Sequence, residues 1–382
     1  MTINNEHKKL NVPNLRFPEF QGEWDKCKFR DVCSISTGNK NTQDKIDDGI
    51  YPFYVRSQTV ERINSWTFDG EAILTAGDGV GVGKVFHHTY GKIGVHQRVY
   101  ILSDFKCDAN YLFHFFSSKF YNRVKRMSAK NSVDSVRKEM ITDMPLSLPS
   151  HQEQVKIGYL LSLLDERIAT QSKIIEDLKK LKSAIIENHY NQAEKQTASI
   201  ADLGEPFSVG NLAKDDLTET GMPCVVYGEL FTTYGETISQ IESHTNKTTG
   251  MILSKKGDLL FPSSTTVDAM SLIAPSVINV DGVILGGDMF GIHINHNYNA
   301  QYLSYYFNHI AKRQLAKFAK GSTIIHLHYA DIEKAKLLLP SLEEQNRMAK
   351  CIMSLDAKIN IENFFISLLN SQKTHLLRQM FI

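Results

Sequence analysis

The sequence predicts an α+β chain made as a tandem repeat, two mixed α/β domains each followed by one long helix, and three observations predict it. Leu146-Ser-Leu-Pro-Ser-His-Gln-Glu-Gln154 recurs as Leu337-Leu-Leu-Pro-Ser-Leu-Glu-Glu-Gln345, and the interval from Pro149 to Pro340 is 191 residues, half of the 382-residue chain. After each copy the chain has no Pro, almost no Gly, and many Leu, Ile, Lys, Glu and Gln, a composition that favours one continuous helix. The remainder consists of short β-type runs separated by Gly, Asn and Asp.

The first domain, residues 1–147, carries Tyr51-Pro-Phe-Tyr-Val55, Ala72-Ile-Leu-Thr75 and Val99-Tyr-Ile-Leu102 as strand candidates. The second, residues 195–338, carries Cys224-Val-Val-Tyr227, Asp258-Leu-Leu-Phe261 and Met289-Phe-Gly-Ile-His293. Each reads as a sheet with helices. The frames correspond: Ile35-Ser-Thr-Gly38 answers Phe207-Ser-Val-Gly210, and the helix beginning Asn110-Tyr-Leu answers Gln301-Tyr-Leu. The middles differ freely, which suits two halves that bind two different things.

The helical regions, 148–194 and 339–382, start after Pro149 and Pro340, each followed by Ser and then Glu three residues on, a pattern resembling a capping box. Apolar residues fall at Leu161, Leu164, Ile168, Ile175, Leu178 and Ile185 in the first helix and at Ile352, Leu355, Ile359, Ile366, Leu369 and Leu376 in the second. Gln171 and Lys182, then Glu362 and Lys373, occupy the vacant slots of that pattern. Two helices with one pattern are best explained as a pair packed seam to seam. Leu160, Ile174 and Leu181, with Phe364-Phe365, widen the stripe and leave room for a second partner surface.

Lys and Arg number 43 and Asp and Glu 42, so any nucleic-acid footprint must be local. Two basic stretches qualify. Lys119, Arg123, Lys125, Arg126, Lys130, Arg137 and Lys138 follow the start of the first Tyr-Leu helix, and Lys312, Arg313, Lys317 and Lys320 follow the second. Lys, Arg and small hydroxyl side chains make most phosphate contacts. Arg56, Gln58, Gln97 and Arg98 in the first domain, and Ser263, Ser264 and Thr265 in the second, have the chemistry of base readers.

Motifs for catalysis are missing. Gly77-Asp-Gly-Val-Gly-Val-Gly-Lys84 has Asp78 where a P-loop needs Gly and Val85 where it needs Ser or Thr, so it reads as a turn between strands, with close approach to a DNA backbone as the sharper alternative. There is no Asn or Asp followed by Pro-Pro and an aromatic residue, as amine methyltransferases carry, and the fourteen His show no zinc-ligand spacing. Five scattered cysteines read as reduced thiols, and without a signal-peptide or membrane-length apolar run the expected place is the cytoplasm. No catalytic residue and no metal site are assigned.

Pro13-Asn-Leu-Arg-Phe-Pro-Glu-Phe-Gln-Gly-Glu-Trp24, the Leu-Pro-x-x-x-Glu-Gln helix starts at Leu148 to Gln154 and Leu339 to Gln345, and the Leu164-Asp165 and Leu355-Asp356 pairs together resemble the specificity subunits of type I restriction-modification systems. That resemblance implies two target-recognition domains separated by two long antiparallel helices in a pseudo-twofold tandem repeat. It also implies reading of a split, asymmetric double-stranded DNA site. Two modification subunits that methylate adenine with S-adenosylmethionine, and restriction subunits driven by ATP with Mg, are the implied partners; this chain itself would hold no cofactor and perform no catalysis. A related type II specificity chain, or a coiled-coil scaffold that binds only proteins, is the alternative reading.

Overall fold

The computed structural model describes residues 10–128 and 135–382. It divides into two compact units, one reaching to Ser172 and taking in Phe364–Ile382, the other Lys173–Asn363. The division passes through both long helices, so each unit contains one domain, part of one helix and part of the other.

In the first unit the elements run β1 (Asp25–Lys28), α1 (Phe29–Val32), β2 (Ser34–Thr37), β3 (Tyr51–Tyr54), β4 (Val60–Ile63), β5 (Phe68–Ala76), β6 (Phe86–Val95), β7 (Val99–Ser103), α2 (Ala109–Met127), α3 (Lys138–Thr142), β8 (Pro145–Leu148) and the start of α4 (His151–Gln192). Strands β2-β7-β5-β6-β3-β4 form one sheet, antiparallel except where β3 runs parallel to β6. Helix α2 starts where Asp108 accepts a hydrogen bond from the Tyr111 N–H at 2.7 Å. It buries Leu112, Phe115, Phe116, Phe120 and Val124, a 3.6-period face, in a core shared with Phe29, Ile157, Leu161, Met380 and Phe381.

The second unit has β9 (Gln196–Ser199), β10 (Gly204–Ser208), β11 (Leu217–Thr218), β12 (Met222–Val226), α5 (Glu229–Thr232), β13 (Thr237–Ile238), β14 (Ser243–Thr245), β15 (Ile252–Leu253), β16 (Asp258–Pro262), β17 (Ser264–Thr265), α6 (Ala269–Leu272), β18 (Ser276–Ile278), β19 (Ile284–Gly286), β20 (Met289–Ile294), α7 (Ala300–His309), α8 (Lys312–Leu315), β21 (Ile325–His326), α9 (Tyr329–Ile332), β22 (Lys336–Leu339) and the start of α10 (Leu342–Met380). Two five-stranded sheets, β10-β20-β16-β18-β13 and β11-β14-β12-β19-β15, replace the six-stranded sheet of the first unit. Ile186, Met348 and Ile352 of the long helices close the core over Tyr302, Tyr305, Tyr306 and Phe307 of α7.

The interval of 191 residues governs the frame of both units. Gln154 donates to the Pro149 carbonyl at 2.8 Å and accepts from the Asp108 N–H at 3.0 Å; Gln345 does the same with Pro340 at 2.9 Å and Asn299 at 3.0 Å. Asp108 and Asn299 are the N-caps of α2 and α7. Each glutamine therefore clamps the start of a long helix to the start of the domain helix packed on it.

Within each unit the two long-helix segments run antiparallel. In the first, Asp165 of α4 pairs with Lys373 of α10, while Leu161 shares a core with Leu376 and Met380. In the second, Lys182 reaches Asp356 at 2.5 Å and His189 reaches Glu344 at 2.9 Å. All twelve seam residues, Leu161, Leu164, Ile168, Ile175, Leu178, Ile185, Ile352, Leu355, Ile359, Ile366, Leu369 and Leu376, are buried or half-buried. At the end of the first helix the seam shifts by one, for Ile186 is buried and Ile185 only half so.

The capping box is half-made. Ser150 and Ser341 hydroxyls accept from the Glu153 and Glu344 N–H groups at 3.4 Å. The carboxylates, however, go to stronger partners: Glu153, fully buried, takes a bidentate pair from Arg16 with both bonds at 2.8 Å, and Glu344 takes His189 and Arg347. No helix among the described residues is long and apolar enough to cross a membrane.

Candidate nucleic-acid interface

In the first unit, three connections and one helix bring the candidates together. The loop after β3 carries Arg56 and Gln58, both exposed. The turn between β6 and β7 carries Gln97 and Arg98. Residues 77–85 form the hairpin connection between β5 and β6, as the sequence reading of a turn between strands has it. Arg56 and Arg98 converge on one carboxylate, Asp78, at 3.0 and 3.6 Å. Beneath them His96 accepts a hydrogen bond from the Arg98 N–H at 3.0 Å through its Nδ1. Burial, and then the charge of Arg56, hold this imidazole below its usual value, so it is neutral at pH 7. Gln97 is tied to Asn41 at 2.6 Å.

Helix α2 adjoins this cluster, because the Lys84 ammonium lies 5.1 Å over the Tyr121 ring. Lys125, one turn further along the face of Tyr121, is exposed, as is Arg126. Two of the basic candidates are engaged in packing. Lys119 is half-buried, and Arg123 donates through Nε to the Met140 carbonyl at 2.7 Å, which fastens α2 to α3. Lys130, with the Asn131 and Ser132 beside it, lies outside the described residues; Arg137 and Lys138 flank the start of α3.

The second unit distributes its charges differently. Arg313 and Lys317 are exposed and Lys312 is half-buried, on α8 and the turn that follows. Lys320 pairs with Asp331 at 2.5 Å, so part of its charge is neutralised within the protein. Ser263 and Ser264 correct the sequence reading. Their chemistry suits base contact, but they are 3% and 7% exposed, because β17 is sealed against β21 and the Ser263 carbonyl accepts the Leu327 N–H at 2.9 Å. Thr265 alone of the three is half-exposed, and its hydroxyl accepts from the Val267 N–H.

Sequence reasoning missed Asp78, Lys84 and His96. Asp78 sits in the glycine run where a carboxylate reads as turn chemistry, and only the fold shows that two arginines depend on it. What the arrangement offers chemically is a set of cations and amides on loops at one end of a sheet, with one basic helix beside them. That is a surface for phosphates and base edges.

Comparison with known proteins agrees. The family model for the type I restriction modification DNA specificity domain matches residues 21–180 and again residues 193–369. The EcoDI specificity subunit of Escherichia coli is 27% identical over 168 residues, which span 43% of this chain but only 37% of that protein. The MjaVIII specificity subunit of Methanocaldococcus jannaschii is 24% identical over 402 aligned positions, 95% of this chain and 92% of that one. In fold, the crystal structure of the type I restriction-modification S subunit from M. genitalium matches with a TM-score of 0.66 at 15% identity, over 97% of this chain and 99% of that chain. A chain from a structural study of complex assembly and conformational transition in the type I system matches with a TM-score of 0.54 at 13% identity, over 93% and 96%. The chain thus belongs to the family of type I restriction modification DNA specificity domains, two of which it carries in tandem, and it is a DNA specificity subunit of that kind.

Proposed function

We propose that this chain reads a bipartite, asymmetric site on double-stranded DNA, one half-site per recognition domain, and that its long helices carry two modification subunits and, through them, restriction and translocase subunits. The observation that supports this most is the contrast between frame and surface. The clamps at Gln154 and Gln345, and the ion pairs Asp165 with Lys373 and Asp356 with Lys182, repeat at one interval. The loops that carry Arg56 and Arg98 hold other residues in the second unit: Tyr227 and Gly228 follow β12 where Val55 and Arg56 follow β3, and the Asp288 carbonyl accepts the Ser263 N–H as the Arg98 carbonyl accepts the Gly77 N–H. A repeated platform with two unlike reading faces suits two unlike half-sites.

The helices also leave apolar residues in water. Val155, Tyr159, Leu163, Phe364 and Leu368 are exposed in the first unit, and Ile174, Leu181, Met353 and Ile361 in the second. Such stripes on helices whose seams are already filled support partner docking on both units. In this reading the chain is non-catalytic and acts in the cytoplasm. S-adenosylmethionine, ATP and Mg belong to the partner subunits.

The test treats the helices as a ruler. Four residues inserted after Leu178 add about 6 Å, close to two base-pair steps. Since the seam repeats in sevens, the cleaner form inserts one heptad after Leu178 and another after Leu369, adding about 10 Å, or about three base pairs. Methylome sequencing of cells carrying this variant and the cognate modification subunits is expected to show unchanged half-sites with a longer spacer. An unchanged spacer rejects the ruler.

A further inference from the structure

The β5–β6 connection in the first unit is more elaborate than a hairpin needs. Gly79 and Gly83 adopt φ of +76° and +65°, and a Cβ on Gly81 would lie 2.3 Å from the Arg56 carbonyl oxygen. Hydrogen bonds from Val82 to the Gly79 carbonyl and from Lys84 and Val85 to that of Gly81 close the turn, at 3.0 to 3.1 Å. Val82 and Val85 point inward, 3% and 9% exposed. Val80, at the tip, is 98% exposed. Three glycines thus hold one valine out in water, beside Arg56, Arg98 and Lys84.

The second unit does the same with other residues. Its β16–β18 connection occupies the corresponding place: the Gly77 carbonyl accepts the Val136 N–H at 2.7 Å, and the Ser263 carbonyl accepts the Leu327 N–H at 2.9 Å, 191 residues on in the donor. Asp78 bridges to Ser135 as Ser264 pairs with His326, again at that interval. Leu272 and Ile273 anchor this connection in the core, and Asp268 caps α6. Val267 is left 71% exposed, with Lys312 near enough to act on the Asp268 carboxylate.

We infer that Val80 and Val267 are specificity-determining residues, each reading the C5-methyl group of a thymine in the major groove of its half-site while the neighbouring cations hold the phosphates. The inference rests on the DNA-reading function proposed above. The class of contact follows from chemistry. An exposed apolar tip cannot bind phosphate, and thymine presents the one methyl group on the major-groove edge of the bases. Side chains that wedge between base steps are longer or flatter, Phe, Leu, Ile, Met or Pro, whereas valine is short, stiff and suited to a single methyl contact.

The experiment uses the complex of the full chain with its modification subunits, on duplexes carrying the site found by methylome sequencing. Each thymine in a half-site is replaced in turn by deoxyuridine, which removes only the methyl group. Wild type is expected to lose about fourfold in affinity at one thymine per half-site, the worth of one buried methyl. Val80→Ala is expected to bind more weakly by a similar factor and to become indifferent to the replacement in the first half-site, with Val267→Ala doing so in the second. Both valines lie on the surface, so the variants are expected to keep the wild-type melting temperature. A half-site without an A·T pair, a wild type blind to every deoxyuridine, or a Val80→Ala variant as sensitive as wild type overturns the inference and leaves the function standing. A wild-type complex with no preferred sequence overturns the function itself.

Discussion

Replacing Lys182 with Met separates two sites that look alike in sequence. The Lys182 side chain is 7% exposed and contacts Asp356 at 2.5 Å and Glu236 at 3.1 Å, both carboxylates being about a quarter exposed. Tyr305 donates to Asp356 at 2.7 Å, and His309 hydrogen-bonds Glu236 at 2.9 Å. Burial alone would raise the Glu236 carboxyl; the hydrogen bond to His309 and the charge of Lys182 outweigh it and hold that group down to about 2. A carboxylate held from 4.5 to about 2 contributes about 3 kcal/mol at neutral pH. That stability is full above 4.5 and drains away as pH falls toward 2. Lys182→Met strands two largely buried carboxylates, and removal of one partner from such a group costs about 3 kcal/mol, the low end of its range because the site is partly open.

For a cooperative unit of this size that loss lowers the melting temperature by about 6–12 °C at pH 7. The matched change in the first unit, Lys373→Met, is expected to cost about 1 kcal/mol, because Lys373 and Asp165 are 26% and 34% exposed and water screens them. Calorimetry at pH 7, with amide exchange to locate the loss, compares the two. Equal losses, or a larger one for Lys373→Met, would refute the assignment of strength to burial.

Other predictions follow from single contacts. Arg16→Lys is expected to lose about 2 kcal/mol, since a lysine keeps the charge but cannot reproduce the bidentate grip on buried Glu153, and urea denaturation at neutral pH measures it. Gln345→Ala leaves the Asn299 N–H and the Pro340 carbonyl without their partner and is expected to cost about 2 kcal/mol, seen as faster amide exchange at the start of α7. Lys125→Ala and Arg126→Ala are each expected to weaken binding to all DNA sequences and to reduce the salt slope by about one, with no change in stability; Arg123→Ala loses stability as well, because its Nε holds the Met140 carbonyl.

Much of this was legible in the sequence because it is local or repeated. Helix composition, the apolar pattern and the interval of 191 residues need no tertiary knowledge, and the residues of that pattern are buried or half-buried in the structure. The glutamine of each helix-start motif was visible, yet its partners, the N-cap groups of Asp108 and Asn299, lie 46 residues upstream and emerge only when the domain helix docks. The half-made capping boxes show how a local pattern yields to tertiary partners: Arg16 lies 137 residues from Glu153, and no spacing rule connects them. The surface was hardest to read. Ser263, Ser264 and Thr265 have the right chemistry for base edges, but the segment packs against β21 and Leu327, and the first two are buried. Arg123 has the right charge, but the Met140 carbonyl claims it. Residue type fixes what a side chain can bind, and non-local strand and helix contacts decide which of them face solvent.

A split site read one half per domain is tested most directly by single-molecule methylome sequencing of cells that carry this chain with its modification subunits, compared with cells in which residues 195–338 are replaced by the second domain of a relative. Such a division of reading predicts one interrupted, asymmetric motif for the wild type, and for the chimera a motif in which one half-site changes while the other half-site and the spacer stay the same. A contiguous motif, or a chimera that alters both half-sites together, would contradict it.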